Sequence, residues 1–315
     1  MKKDLLIVAP SPHFRDGAST NAIMYNVLAA LVPAVVISVL VFGMRALVLE
    51  AVCVLSCIFF EWLFQFVCKR PCTIADGSAA VTGLLLALNL PVTLPIWMAV
   101  LGCAVSILVV KQLFGGIGQN FANPAIVGRI FLLVSFGAQM TNWAAPKAYM
   151  AGVEALSGAT PLALVKSGSA LADLPPMLSM LLGVRGGSIG ETAAVGLLIG
   201  GIYLIVKKVI TATTPVVYIA TVIVLSFAFG LEPGYQVVSG GLLLGAFFMA
   251  TDYATSPTTE SGKVIFAIGC GVITMAVRAF ASYPEGVSFA ILLMNIITPL
   301  IDRVTRTKPF GGVVK

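Results

Sequence analysis

Long apolar runs separated by short polar breaks alternate along the chain from Asn21 to Asp302. A helix needs about 20 apolar residues to cross the hydrocarbon core of a bilayer. The pattern predicts ten membrane-spanning segments, at 21–43, 46–68, 79–92, 94–114, 124–140, 188–206, 209–230, 236–250, 263–281 and 286–302. We therefore expect an all-α integral membrane protein with about ten transmembrane helices.

Spans 3 and 8 are short and resemble each other. The stretch from Asp76 to Pro91 reads DGSAAVTGLLLALNLP, and the stretch from Val238 to Asp252 reads VSGGLLLGAFFMATD. Both begin with small residues and continue with Gly-Leu-Leu-Leu. Five spans on each side of the long polar break give the two halves opposite orientations. Short, glycine-interrupted segments at matching positions of inverted halves indicate discontinuous helices around a central site.

The positions of lysine and arginine orient the chain. With the N-terminus inside, thirteen of the nineteen basic residues lie in or beside inside segments and four lie outside. Because basic residues are enriched in cytoplasmic loops, both termini are predicted to be cytoplasmic. The predicted organisation is an N-terminal segment (1–20), a first half (21–140), an external loop (141–187), a second half (188–302) and a cytoplasmic tail (303–315).

Composition supports the membrane assignment and excludes several functions. The chain is 59% apolar and 10% charged, where a soluble domain carries about 25% charge. Its net charge of +6 does not predict a nucleic-acid partner, because the basic residues do not cluster with aromatic residues on one face. The single histidine, His13, cannot build a histidine metal site or a hydrolytic triad, and the sequence has no phosphate-binding loop for ATP.

The six cysteines predict no metal site within this chain. Most lie in apolar runs, where a buried thiol acts as a small hydrophobic side chain. Cys68 and Cys72 border a basic loop, and the alternative is that they form half of a cluster shared with a partner protein.

Charged residues that lie well inside predicted spans include Glu61 in span 2, Arg129 in span 5 and Arg278 in span 9. Such residues usually face a partner, a cavity or a ligand. The alternative for the arginines is that they extend to the nearest headgroups. Glu61 can pair with an arginine or bind an ion in transit, and a structural ion pair explains it equally well.

Two inside loops are rich in small polar residues: GGIGQNFANPA after span 4 and TDYATSPTTESG after span 8. Their backbone amides suit a planar polar ligand or a phosphate, although plain turns between helices explain them as well. The candidates for an inner ligand site or an ion path are Asp76, Asn120, Asn123 and Asp252.

The external loop contains LSGATPL, from Leu156 to Leu162. On physical grounds this is a turn or a helix cap. However, SGAT in an external loop resembles the flavin-attachment motif of a family that includes the D subunit of the Rnf complex and the B subunit of the sodium-translocating NADH:quinone oxidoreductase. The segments SPH, DGSAAVTGLLLALNLP, GQNFANPAIVGR and MATDYATSP are similar to further blocks of that family. The short segment before span 1 favours the Rnf member.

The resemblance implies a site and a set of partners. Thr160 would carry FMN through a phosphoester bond made by a flavin transferase, with Ser157, Gly158 and Ala159 forming the approach. Glu154 departs from the motif, which usually has aspartate there, so the charge is kept but the side chain is longer. A second, non-covalent flavin such as riboflavin would lie near the inner loops, where Arg129 would stabilise its reduced anion or its phosphate.

The implied activity is electron transfer from ferredoxin to NAD across the inner membrane of a bacterium or archaeon, coupled to export of Na+ or H+. The implied partners are the C, G, A, E and B subunits of the Rnf complex, with the FMN-bearing G subunit as electron donor, and the lipid bilayer. Two alternatives stay open. A channel or secondary transporter could share the inverted architecture. A purely structural role in a complex would not depend on Thr160.

Overall fold

A computed structural model describes residues 19–144, 160–166, 176–183, 186–281 and 285–306. Within these ranges the chain is helical and contains no β-strand, which confirms the all-α prediction for the described residues. His13 and most of the predicted N-terminal segment, external loop and C-terminal tail lie outside the described residues.

Fourteen α-helices occur in the described ranges. They are α1 Thr20–Phe42, α2 Met44–Val67, α3 Ser78–Leu88, α4 Ile96–Ala104, α5 Pro124–Ser135, α6 Gly137–Met140, α7 Pro161–Lys166, α8 Met177–Leu182, α9 Ala194–Val206, α10 Thr213–Ala228, α11 Pro233–Val238, α12 Leu242–Leu244, α13 Glu260–Phe280 and α14 Val287–Val304. Two π-helical segments continue short helices: Val105–Gln112 follows α4, and Gly245–Met249 follows α12.

Four helices, α1, α2, α13 and α14, are long and apolar enough to cross a bilayer. They correspond to predicted spans 1, 2, 9 and 10, and identify an integral membrane protein. The other predicted spans correspond to shorter apolar helices, so the ten-span topology stays a prediction. Predicted span 8 is the most broken, because one turn of α12 passes directly into a π-helical segment.

Local sequence signals set several helix starts. Asn123 caps α5, where its side-chain oxygen accepts hydrogen bonds from the amides of Ala125 (3.0 Å) and Ile126 (3.4 Å), and Pro124 occupies the first turn. Thr259 caps α13 in the same way through the amide of Gly262 (3.1 Å). These caps fix the inner loops that precede α5 and α13.

The first and second halves of the chain meet where α1 packs against α9. Gly196 and Gly200 of α9 lie directly on the α1 backbone, because a Cβ at Gly200 would come within 2.0 Å of the carbonyl oxygen of Ala30. Small residues four positions apart allow this close helix approach in membranes. The α1–α9 contact therefore depends on the absence of side chains at these two positions.

The packing of the first half recurs in the second. Helix α2 packs against α4 as α10 packs against α13, and α4 packs against α5 as α13 packs against α14. Helices α1 and α9 contact each other across the interface between the halves, and so do α5 and α14.

We expect Gly200→Ala to lower the midpoint of thermal unfolding in detergent, followed by intrinsic fluorescence. The added methyl group would push α1 and α9 apart at a cost of about 1–3 kcal/mol. The matched control is Gly137→Ala in α6, where a Cβ would meet no described atom within 4 Å. Alanine ordinarily favours a helix over glycine, so equal midpoints for the two variants would contradict the proposed close approach.

Candidate functional site

A cavity of about 760 Å³, its open mouth included, lies between the two halves on the predicted cytoplasmic side. We call it the inner cavity. It is bounded by the start of α1, by α3, by the loop before α5, by the end of α9 and by the second π-helical segment with its following loop. Its apolar wall contains Val27, Leu85, Phe247 and Phe248, and its polar lining contains Ser78, Thr82, Lys111, Asn120, Asn123, Thr251 and Asp252.

The inner cavity contains three of the four loop candidates. Asn120, Asn123 and Asp252 line it, whereas Asp76 does not; its carboxylate instead accepts hydrogen bonds from the amide (2.8 Å) and hydroxyl (2.5 Å) of Ser78. The side-chain oxygen of Asn120 is buried and has no hydrogen-bond partner among the described residues, which makes it available to a ligand. The side-chain oxygen of Asn123 already caps α5.

Asp252 lies in the loop after the second π-helical segment. Its carboxylate accepts a hydrogen bond from the hydroxyl of Thr255 at 3.1 Å. Burial raises the pKa of Asp252 above its ordinary value of 3.8, and the hydrogen bonds to Thr255 and Ala254 act in the opposite direction. The cavity wall therefore contains a carboxyl group that holds its proton at a higher pH than an exposed aspartate.

Glu61 forms a buried ion pair with a lysine. Lys111, in the first π-helical segment, places its ammonium 3.0 and 2.8 Å from the two carboxylate oxygens of Glu61 and 2.6 Å from the hydroxyl of Ser78. Gln112 also donates to Glu61, at 2.8 Å. The predicted arginine partner is thus replaced by Lys111, which connects Glu61 to the wall of the inner cavity.

Thr160 is buried, with 3% of its surface exposed, directly before α7. A second cavity, which we call the outer cavity, encloses about 670 Å³ with its mouth included. It is lined by Leu162 and Lys166 of α7 and by Phe229, Leu231, Gln236, Arg278 and Ala279. Residues Glu154, Ser157, Gly158 and Ala159 of the motif lie outside the described residues.

Arg278 is held at the outer cavity by the α11–α12 connection. Its guanidinium donates to the carbonyl oxygens of Gln236 (2.5 Å) and Ser239 (2.9 Å) and to the side chain of Gln236 (3.1 Å). A Cβ at Gly240 would lie within 2.6 Å of both Arg278 and Leu162, so only glycine lets α7 and Arg278 meet here. The Nε of Arg278 is buried and has no partner among the described residues.

Arg129 does not line the inner cavity, where the sequence analysis placed it beside a flavin. Its guanidinium donates to Glu285, before α14, and to the hydroxyl of Ser288. Burial raises the pKa of Glu285, and the adjacent Arg129 opposes that rise. The Arg129–Glu285 pair therefore connects α5 to α14, away from the inner loops.

Sequence inspection missed three residues of these sites. Lys111 was considered only as one of the basic residues that orient the chain, at the inner edge of span 4. Glu285 lies just before span 10, where an acidic residue at a membrane boundary does not stand out. Glu191 precedes α9 and accepts a hydrogen bond from the amide of Gly240 at 2.6 Å. Lys111 and Glu191 each carried a usable signal, because both are charged residues inside predicted spans, 94–114 and 188–206.

The chain matches known proteins over nearly its whole length. Residues 7–311 match the model of the NQR2, RnfD, RnfE family. The chain is 48% identical over 308 residues to the D subunit of the Na+-translocating ferredoxin:NAD+ oxidoreductase complex of Acetobacterium woodii, covering 97% of this chain and 95% of that protein. It is 42% identical over 329 residues to the D subunit of the proton-translocating ferredoxin:NAD+ oxidoreductase complex of Clostridium ljungdahlii, covering 99% and 98%. It is 38% identical over 328 residues to the D subunit of the ion-translocating oxidoreductase complex of Stutzerimonas stutzeri, covering 93% of each.

We expect Asp252→Asn to become more stable relative to the unsubstituted chain as the pH rises from about 4 to 8. The pKa of Asp252 is raised in the folded chain, so as the pH rises the unfolded chain loses this proton before the folded chain does. The folded chain therefore loses stability as the pH rises from the ordinary pKa of 3.8 to the raised pKa. Asparagine removes this loss. Unfolding midpoints of both chains across this pH range test the prediction, with Glu232→Gln, at an exposed side chain, as control. A midpoint difference that stays constant with pH would contradict it.

Proposed function

This chain belongs to the NQR2, RnfD, RnfE family, and on that premise we propose that it is the flavin-carrying D subunit of an ion-translocating ferredoxin:NAD+ oxidoreductase complex. In this proposal it is one part of a membrane-bound oxidoreductase that exports Na+ or H+. The G subunit is its electron donor, and the C, A, E and B subunits are its other partners. The observation that carries the proposal is that Thr160 directly precedes α7, whose Leu162 and Lys166 line a cavity that also contains the cationic side chain of Arg278.

The proposal includes the ten-span topology of two inverted repeats. The recurrence of helix contacts in the two halves supports it. The buried cations support it as well: Lys111 contacts Ser78 at the start of the short helix α3, and Arg278 contacts Ser239 just before the short helix α12. A cation thus accompanies each discontinuous helix, one near each face of the predicted membrane protein.

The residues around Thr160 fit a covalent FMN. The phosphoester on its hydroxyl would bring a negative charge to the base of α7. Lys166 and Arg278 line the adjoining outer cavity, and the Nε of Arg278 is a buried donor without a described partner. Charge-assisted hydrogen bonds from these groups would hold a phosphate in place. Attachment by a flavin transferase would keep the cofactor from diffusing away on the external side.

The inner cavity fits a second, non-covalent flavin such as riboflavin. Its lining combines apolar side chains with a few polar groups, as is typical of small-molecule sites. Phe247, Phe248 and Leu85 offer faces for a planar ring, and the unpartnered oxygen of Asn120 offers an acceptor for an N–H group. Asn123 and Asp252 flank the same space.

A flavin at each position would supply one- and two-electron chemistry that the side chains themselves lack. The chain's contribution is to bind, orient and shield. Arg278 and Lys166 would fix the outer phosphate, while the buried walls of the inner cavity would exclude water. At the cavity wall, burial raises the pKa of Asp252 above its ordinary value.

We expect Thr160→Ala to abolish covalent flavin, because alanine has no hydroxyl for the phosphoester. The measurement is ultraviolet fluorescence of the denatured chain on a gel after co-expression with the transferase. Thr160→Ser is the matched control and should keep part of the signal. If the unsubstituted chain gives no fluorescent band although the transferase is active on another target, the redox proposal would be contradicted and a channel or a transporter favoured. If the unsubstituted chain carries flavin but the complex with Thr160→Ala is equally active, a purely structural role would be favoured.

We expect Asn120→Ala to lower the content of non-covalent flavin in the purified complex by up to about tenfold, the effect of losing one well-placed hydrogen bond of about 1.4 kcal/mol. Flavin released on denaturation is measured by chromatography, and the covalent signal on Thr160 should be unchanged. Asn142→Ala, on the exposed side of the chain, is the control. Equal flavin release from both variants would contradict the assignment of the inner cavity.

A further inference from the structure

The ammonium of Lys111 occupies a position built for a cation. Three oxygen atoms surround it, at 2.8 and 3.0 Å from Glu61 and 2.6 Å from Ser78. Both ionic side chains are almost completely buried, with 2% of Lys111 and 1% of Glu61 exposed. Carboxylate and hydroxyl oxygens at this spacing are also the ligands that hard metal cations prefer.

The surroundings of Glu61 are more polar than an ion pair requires. Gln112 donates to its carboxylate at 2.8 Å, and Gln65 lies 3.4 Å from the same oxygen while it also bonds to Thr73. An amide that turns its oxygen inward becomes a further cation ligand. The site therefore contains enough oxygen atoms to hold a small cation once the ammonium leaves.

The pair is difficult to explain by stability alone. Buried ion pairs contribute little net stability, because the loss of hydration offsets their attraction. Lys111 belongs to a π-helical segment, a geometry that is frequently found at functional sites. Its flexible stem and compact charge suit a group that moves, in contrast to the rigid fork of an arginine.

We propose that Glu61, with Ser78 and Gln112, forms a binding site for a monovalent cation, and that Lys111 is a tethered competitor which occupies this site when no ion is bound. A single carboxylate balances one positive charge, so the ammonium and the ion exclude each other. Displacement of Lys111 toward the inner cavity, whose wall it already lines, opens the site to the ion.

A second step of the proposal rests on the function proposed above. A ligand in the inner cavity that gains negative charge on reduction would attract the Lys111 ammonium away from Glu61. Electron arrival and cation uptake would then be connected by the movement of one side chain. The cation site itself does not depend on the presence of that ligand.

The test uses the purified oxidised complex and 22Na+ in a choline buffer. We expect Lys111→Met to bind one Na+ per chain more than the unsubstituted complex, and Lys111→Met with Glu61→Gln to lose that ion. Lys263→Met is the matched control, because it breaks the more exposed Lys263–Glu260 pair of 2.8 Å without vacating a buried site. Equal Na+ binding by the single and double variants would overturn the proposal.

Thermal unfolding separates the cation site from a purely structural ion pair. In choline, Lys111→Met leaves the Glu61 charge buried and lowers the unfolding midpoint. Saturating Na+ should raise that midpoint by about 5 °C or more, and should leave the double variant unchanged. A Lys111→Met complex that is equally destabilised or unfolded in both salts would identify the pair as structural.

The second step is tested on the unsubstituted complex, oxidised and then reduced with dithionite. We expect the reduced complex to bind one more Na+ per chain than the oxidised complex, and the complex with Glu61→Gln to bind no additional Na+ on reduction. A complex that contains no non-covalent flavin would overturn the second step and the inner part of the proposed function together. Na+ binding by the Lys111→Met complex would then still show whether the cation site exists.

Discussion

A charge buried in an apolar interior is costly unless it is paired, and this constraint determines how the described helices fit together. Glu61 of α2 is neutralised by Lys111 of the first π-helical segment, and Arg129 of α5 is neutralised by Glu285 before α14. Arg278 is held by the carbonyl oxygens of Gln236 and Ser239. Each of these contacts joins elements that are distant in sequence, so the charges also fix which helices are neighbours.

A related constraint applies to the backbone where the helices break. A short helix inside a membrane leaves backbone groups without partners, and these groups must be satisfied by protein. The amides of Ile189 and Gly190 donate to the carbonyl oxygens of Leu90 and Leu88 at 3.0 and 2.7 Å, at and just beyond the end of α3. Glu191 accepts a hydrogen bond from Gly240 just before α12. The segment before α9 thus satisfies the ends of both short helices.

The sequence predicted the helical class and the four long spans, because both depend on local hydropathy. It also singled out Glu61 and Arg278, since a charge in an apolar run is visible without any structure. It could not identify Lys111 as the partner of Glu61, because the pairing depends on how α2 packs against the first π-helical segment. Arg129 was assigned to the inner loops from its distance along α5, but it faces Glu285, which sequence position alone does not reveal.

Two of the buried cations, Lys111 and Arg278, differ in a way that matches the roles proposed for them. Arg278 makes three hydrogen bonds to an adjacent segment, and its planar fork cannot leave one without losing the others. Such a fixed charge suits a permanently attached phosphate. Lys111 has one flexible stem between a carboxylate and a cavity wall, so its charge can be shared between two positions. If a rigid arginine took its place, Glu61 would stay paired in every state, and no ion could enter the site in exchange.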